Sequence, residues 1–143
     1  MADKVYAVID TNVVVSALIS KKAESYPLLV MEHLYVGNII PVFNDEIIKE
    51  YRDVLTREKF HLNPQDVDQA LKTITDCGLN VNRTAVTNEV FPDSKDIVFY
   101  EVKMSKEDAY LITGNTKHFP KKAFVVTPRE MIAILRPKKD LNS

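Results

Sequence analysis

The sequence has 143 residues and a mass of 16.3 kDa, enough for one domain with a proper core and too little for two of ordinary size. Hydrophobic residues make up 45% and charged residues 27%, which excludes a disordered chain, and a net charge of −1 excludes a strongly basic nucleic-acid coat protein. A single cysteine, Cys77, excludes an intrachain disulfide framework, so a reducing, cytoplasmic setting is expected, and no membrane span or signal peptide is expected.

Residues 4–9 are β-branched, aromatic and almost wholly apolar, which predicts a strand buried on both faces, as in parallel sheets. Helical spacing follows over 13–19 and again over 27–36, where Gly37 and Asn38 close the second helix. Ile39 and Ile40 read as a short strand ended by Pro41. Asn44, with Asp45 and Glu46 behind it, caps a helix to about Arg57, and Asn63 with Pro64 starts another that stops at Cys77 and Gly78. A short strand is expected over 79–81, then a polar loop to Pro92 and a helix from about Asp93 to Ser105. Residues 109–112 read as a buried strand, 124–126 as a last strand, and Thr127 with Glu130 as the capping box of a closing helix. From Arg136 the polar tail is expected to be loose. Strand–helix alternation over the whole length predicts an α/β sandwich on a mostly parallel sheet, as a single domain over 1–143.

In such sheets the functional crevice lies outside the carboxyl ends of the strands. Asp10 ends the first strand and Asn115 follows the strand at 109–112, so two central parallel strands would bring both to one edge. Asp10 also suits the N-cap of the next helix, but Thr11 and Asn12 are equally competent caps, so capping alone does not require it. On the helix from Asp45, Ile47, Ile48, Tyr51, Val54 and Leu55 form an apolar stripe, and Glu50 lies at its border, either exposed or leaning into a cleft. Asp93 and Asp96 flank the start of a helix, where a cap and a first-turn acid are structural roles in their own right. Acids from separate elements in one crevice repel unless a cation neutralises them, and hard oxygen donors suit Mg²⁺ or Mn²⁺. His33, His61 and His118 are far apart in sequence and read as non-ligands. Carboxylates with a divalent metal are the apparatus of phosphodiester hydrolysis.

The segment Val8, Ile9, Asp10, Thr11, Asn12 and on to Ala17 closely resembles the opening of PIN-domain proteins, in the subgroup assigned as toxins of toxin–antitoxin systems. Residues 46–55 are similar to the second block of that family, 93–96 to the third, 109–115 to the fourth, and 127–130 to the closing motif of the subgroup. The blocks stand in order over about residues 4 to 135. The resemblance implies a three-layer α/β/α sandwich and a ribonuclease dependent on Mg²⁺ or Mn²⁺. It acts on RNA, usually as a homodimer, and is often restrained by a cognate antitoxin protein. It also implies metal-ligand roles for Asp10, Glu50 and Asp96, with Asp93 an additional acid. Asn12 and Thr113 take supporting places, Thr113 orienting a carboxylate or a water, while Gly114 lets the chain turn sharply.

The departure is Asn115, where many members carry aspartate; a neutral amide is a weaker ligand, so fewer charges and weaker activity are open. Lys117, Lys121 and Lys122 follow that turn and either meet the RNA backbone or form a solvated loop. Two other readings compete with a metal-dependent endoribonuclease: a PIN-like module with a decayed site that binds RNA or protein, and a phosphatase or phospho-accepting receiver. The last lacks the accompanying aspartates that those sites require.

Overall fold

The computed structural model describes residues 4–85 and 89–140 and, over 136–140, the backbone alone. Strand β1 (Val5–Ile9) is followed by helices α1 (Thr11–Ile19) and α2 (Tyr26–Tyr35), then β2 (Ile39–Phe43). Helices α3 (Asp45–Leu55) and α4 (Pro64–Cys77) lead to β3 (Leu79–Asn80). A single 3₁₀ turn at Ser94–Asp96 runs into α5 (Ile97–Met104), which leads to β4 (Tyr110–Ile112), and β5 (Val125–Val126) feeds α6 (Pro128–Asp140). The strands form a five-stranded sheet in the order β3-β2-β1-β4-β5, every described pair parallel. The architecture is α/β, as the alternation predicts.

Local chemistry fixes the elements. Ala7, Val8 and Ile9 are all buried, so both faces of β1 are covered and no polar alternation is needed. The Asn44 side chain accepts from the Ile47 amide at 2.9 Å and that of Asn63 from the Gln65 amide at 2.8 Å, the expected caps of α3 and α4. Thr127 and Glu130 satisfy each other's backbone amides at 3.1 and 2.8 Å, a complete capping box.

Three expectations need correction or placement. β2 does not stop before Pro41 but runs on to Phe43. Asn38 accepts from Val5 on the β1 side and Phe43 accepts from Val81 on the β3 side, so odd-numbered positions of β2 face β3. β3 begins with Leu79, opposite Val42, so the missing N–H of Pro41 points where no strand stands beside it. The backbone of α6 continues to Asp140 across the stretch expected to be a loose tail. Of the polar loop expected up to Pro92, residues 86–88 lie outside the described residues.

The direction of travel decides where the crevice falls. From β1 the chain moves outward to β2 and β3, then crosses back to β4 on the other side of β1. Right-handed crossovers put the helices of these two halves on opposite faces. Accordingly α5 lies across β1, β2 and β4, while α1 and α2 pack on each other, and α6, past the last strand, packs on α2. The reversal lies between β1 and β4, whose register sets Ile9 beside Ile112. Their successors, Asp10 and Thr113, therefore stand side by side at the carboxyl edge.

Candidate metal centre

Asp10 occupies the N-cap position of α1, yet its carboxylate makes no capping bond. Its backbone does that work: the amide donates to Ile112 at 2.8 Å and the carbonyl accepts from Val13 at 3.0 Å. The side chain is left for a different partner. The Thr113 hydroxyl donates to Asp10 Oδ2 at 2.7 Å and accepts from the Asn115 amide at 3.1 Å. Thr113 has no exposed surface, so this relay fixes the carboxylate at the floor of the crevice. Burial pushes the Asp10 carboxyl above the usual carboxylate range. The Thr113 hydroxyl, the Thr11 backbone and the nearby His118 pull it down, and Glu50 pushes it up.

Helix α3 brings Glu50 to the rim. The hydroxyl of Tyr51, next in sequence and fully buried, donates to the Ile9 carbonyl at the end of β1. This anchors α3 against the strand that carries Asp10 and leaves Glu50 half-buried. Burial, with the Asp10 charge behind it, pushes the Tyr51 phenol far up, so it is a permanent donor.

Asp93 and Asp96 divide the two roles expected of them. Asp93 is exposed and its side chain accepts from the Lys95 amide at 2.9 Å, as the cap of the 3₁₀ turn. Asp96 makes no capping bond, and its Oδ2 is buried without a hydrogen-bond partner. Its carboxyl is raised to about 6, first by burial, then by Asp10 and less by Asp93 and Glu50, with His118 opposing. Asp10, Glu50 and Asp93 are thus all within electrostatic reach of Asp96. No three of these or other His, Cys, Asp or Glu side chains among the described residues stand close enough to enclose an ion. What fits a divalent cation is the chemistry: hard oxygen donors, mutual repulsion, and one buried carboxylate oxygen with nothing to accept.

Asn115 points elsewhere than the acids: its side-chain nitrogen lies 3.0 Å from His118 Nε2. His118 Nδ1 in turn faces Asp96 Oδ2 at 3.5 Å. His118, read from the sequence as a non-ligand, therefore stands beside the acids. The signal was its place three residues after Asn115, one 3₁₀ turn on, at Thr116–His118. Asn12, exposed on α1, accepts from the Gly114 amide at 3.3 Å and ties the two turns together. Glycine is not required at 114: an added Cβ would meet Asn12 at 3.5 Å, an ordinary contact. Lys117, next to His118, and Lys121 are exposed, and Lys122 pairs with Glu89 at 3.4 Å. Arg83, which no motif marks in the sequence, reaches Glu46 at 2.8 Å and Glu101 at 2.7 Å with its guanidinium, joining the first turn of α3 to α5.

A family model described as PIN domain matches residues 6–117, a span that begins within β1 and ends beside His118. No curated protein and no solved structure gives a significant match.

Proposed function

This chain belongs to the PIN-domain family, whose members are generally nucleases, and from that premise we propose that it is an endoribonuclease dependent on Mg²⁺ or Mn²⁺. The observation that carries the reading is the pairing of a buried Asp10, locked by Thr113, with an Asp96 oxygen that is buried and unpartnered. Asp10, Glu50 and Asp96 hold the cation, and Asp93 adds negative charge from the rim. When bound, such a cation supplies the Lewis acidity that activates water and neutralises phosphate charge. The residues of the chain do the rest. Thr113 keeps the Asp10 carboxylate from rotating, Tyr51 holds the helix of Glu50 against β1, and the dry floor strengthens each charge interaction. Lys117 and Lys121 offer exposed ammonium groups to the backbone of an RNA strand. Hydrolysis leaves a 5′-phosphate and a 3′-hydroxyl.

We further read the enzyme as the toxin of a toxin–antitoxin pair, a homodimer restrained by an antitoxin protein; the resemblance at residues 8–17 and 127–130 supports this. A decayed, non-cleaving module had only Asn115 in its favour. Since that side chain turns to His118, its neutrality takes nothing from Asp10, Glu50 or Asp96.

Metal binding tests the proposal without RNA. A cation that binds only the folded site stabilises it by mass action, about 2.7 kcal/mol at a hundredfold excess over Kd. The melting temperature is expected to rise with Mn²⁺ or Mg²⁺ in the native protein and much less in Glu50→Gln. An equal rise in both removes Glu50 from the site.

A further inference from the structure

We propose that His118 is a nitrogen ligand of the metal, taking up beside Asp96 the coordination that Asn115 does not offer. The inference rests on the metal-site reading above and extends it to a residue with a different donor atom.

The geometry begins with a distance. His118 Nδ1 and Asp96 Oδ2 are 3.5 Å apart, longer than the 2.7–3.2 Å of an ordinary N–H···O bond. Two donors that each sit about 2.1 Å from one cation stand roughly 3.0 Å apart at a right angle and about 3.4 Å apart at the tetrahedral angle. The pair is thus spaced as neighbouring ligands rather than as donor and acceptor. Asp96 Oδ2 is buried with no hydrogen-bond partner, and the group that faces it is His118 Nδ1, so its lone pairs are free for a cation between the two.

The ring is also held from behind. The Asn115 side chain meets Nε2 at 3.0 Å, leaving Nδ1 turned to Asp96. Metal-binding histidines characteristically bond through the other ring nitrogen to a carboxylate, carbonyl or water, which fixes the tautomer. The amide nitrogen stands at Nε2 here; a half-turn of the Asn115 amide exchanges it for the oxygen, which then accepts from Nε2–H while Nδ1 presents its lone pair. Asn115 is then an orienting residue, and Thr113, which accepts from the Asn115 backbone and donates to Asp10, links both ligand arms through one turn.

A donor set of carboxylates with one imidazole is softer than carboxylates alone. It shifts preference from Mg²⁺ towards Mn²⁺ and the later first-row ions.

Pulsed electron paramagnetic resonance on Mn²⁺ bound to the full chain reads the ligand directly. The native protein is expected to show imidazole nitrogen coupling that changes on labelling its histidines with nitrogen-15. In His118→Ala, or His118→Gln if the first variant does not fold, the coupling is expected to vanish. Mn²⁺ affinity should drop roughly tenfold or more while Mg²⁺ affinity falls less. Absence of coupling in native protein that binds Mn²⁺, or coupling that persists in the folded variant, overturns the inference and leaves the acid site standing. Absence of any divalent-ion binding overturns the acid site, and His118 as its ligand with it.

Discussion

At the scale of single residues, the site is built from groups that are costly to the fold on their own. The Asp10 carboxylate is buried and shares its surroundings with two other acids, Glu50 and Asp96. Asp10→Asn keeps the size and an oxygen for the Thr113 hydroxyl while removing the charge. In chelator its melting temperature is expected to match or exceed that of the native protein, and the rise on adding Mn²⁺ is expected to be lost. A fall of several degrees in chelator would make Asp10 a structural residue first. Asp96 gives a pH signature. Its carboxyl stands at about 6 in the fold against an ordinary value of 3.8, so the folded state binds more protons. Stability in chelator is then full below pH 3.8, declines as pH rises towards about 6, and levels off beyond it. Urea unfolding across that window is expected to show the decline in the native protein and a flatter profile in Asp96→Asn; equal slopes would contradict the charge crowding. Asp10 and Asp96 are legible in sequence because strand ends and helix starts are marked by hydrophobic runs and caps. His118 is not, because a histidine in a short polar turn carries no periodicity and gains its role only when the turn folds beside Asp96.

At the scale of elements, caps and turn chemistry are local and were read directly, whereas pairing is not. Asn44, Asn63 and the Thr127–Glu130 box act within three residues of themselves, and each does what its side chain predicts. Pro41 breaks a local rule because its missing donor faces outward past the start of β3, a fact about a strand almost forty residues on. Gly78, at the junction of α4 and β3, shows the same dependence. A Cβ there would lie 2.5 Å from the Pro41 carbonyl oxygen and 2.7 Å from that of Ile74. Backbone cannot yield as a side-chain tip does, so Gly78→Ala is expected to destabilise the protein by roughly 1–3 kcal/mol. A denaturant midpoint unchanged from the native protein would show that α4 can shift away from β2 without loss. Arg83 is likewise a long-range device, joining α3, which carries Glu50, to α5, which begins directly after Asp96.

At the scale of the whole molecule, alternation of strands and helices identifies an α/β sheet but not the order of its strands. The order β3-β2-β1-β4-β5 decides function, because it puts the reversal of the chain beside Asp10. Residues 10, 50, 96 and 118 are scattered along the sequence, and only this topology gathers them at one edge. The family match over 6–117 covers the same four positions or ends just beside them, and leaves α6 outside. That the gathered acids form a metal-dependent ribonuclease site is the central claim, and cleavage of a single-stranded RNA with end-group analysis tests it most directly. Cuts bearing 5′-phosphates are expected that need Mn²⁺ or Mg²⁺, stop with EDTA, and fall by at least roughly a hundredfold in folded Asp10→Asn, the scale of losing a principal charge-stabilising group. Cleavage that persists in EDTA, or that Asp10→Asn performs at the native rate, would contradict the claim.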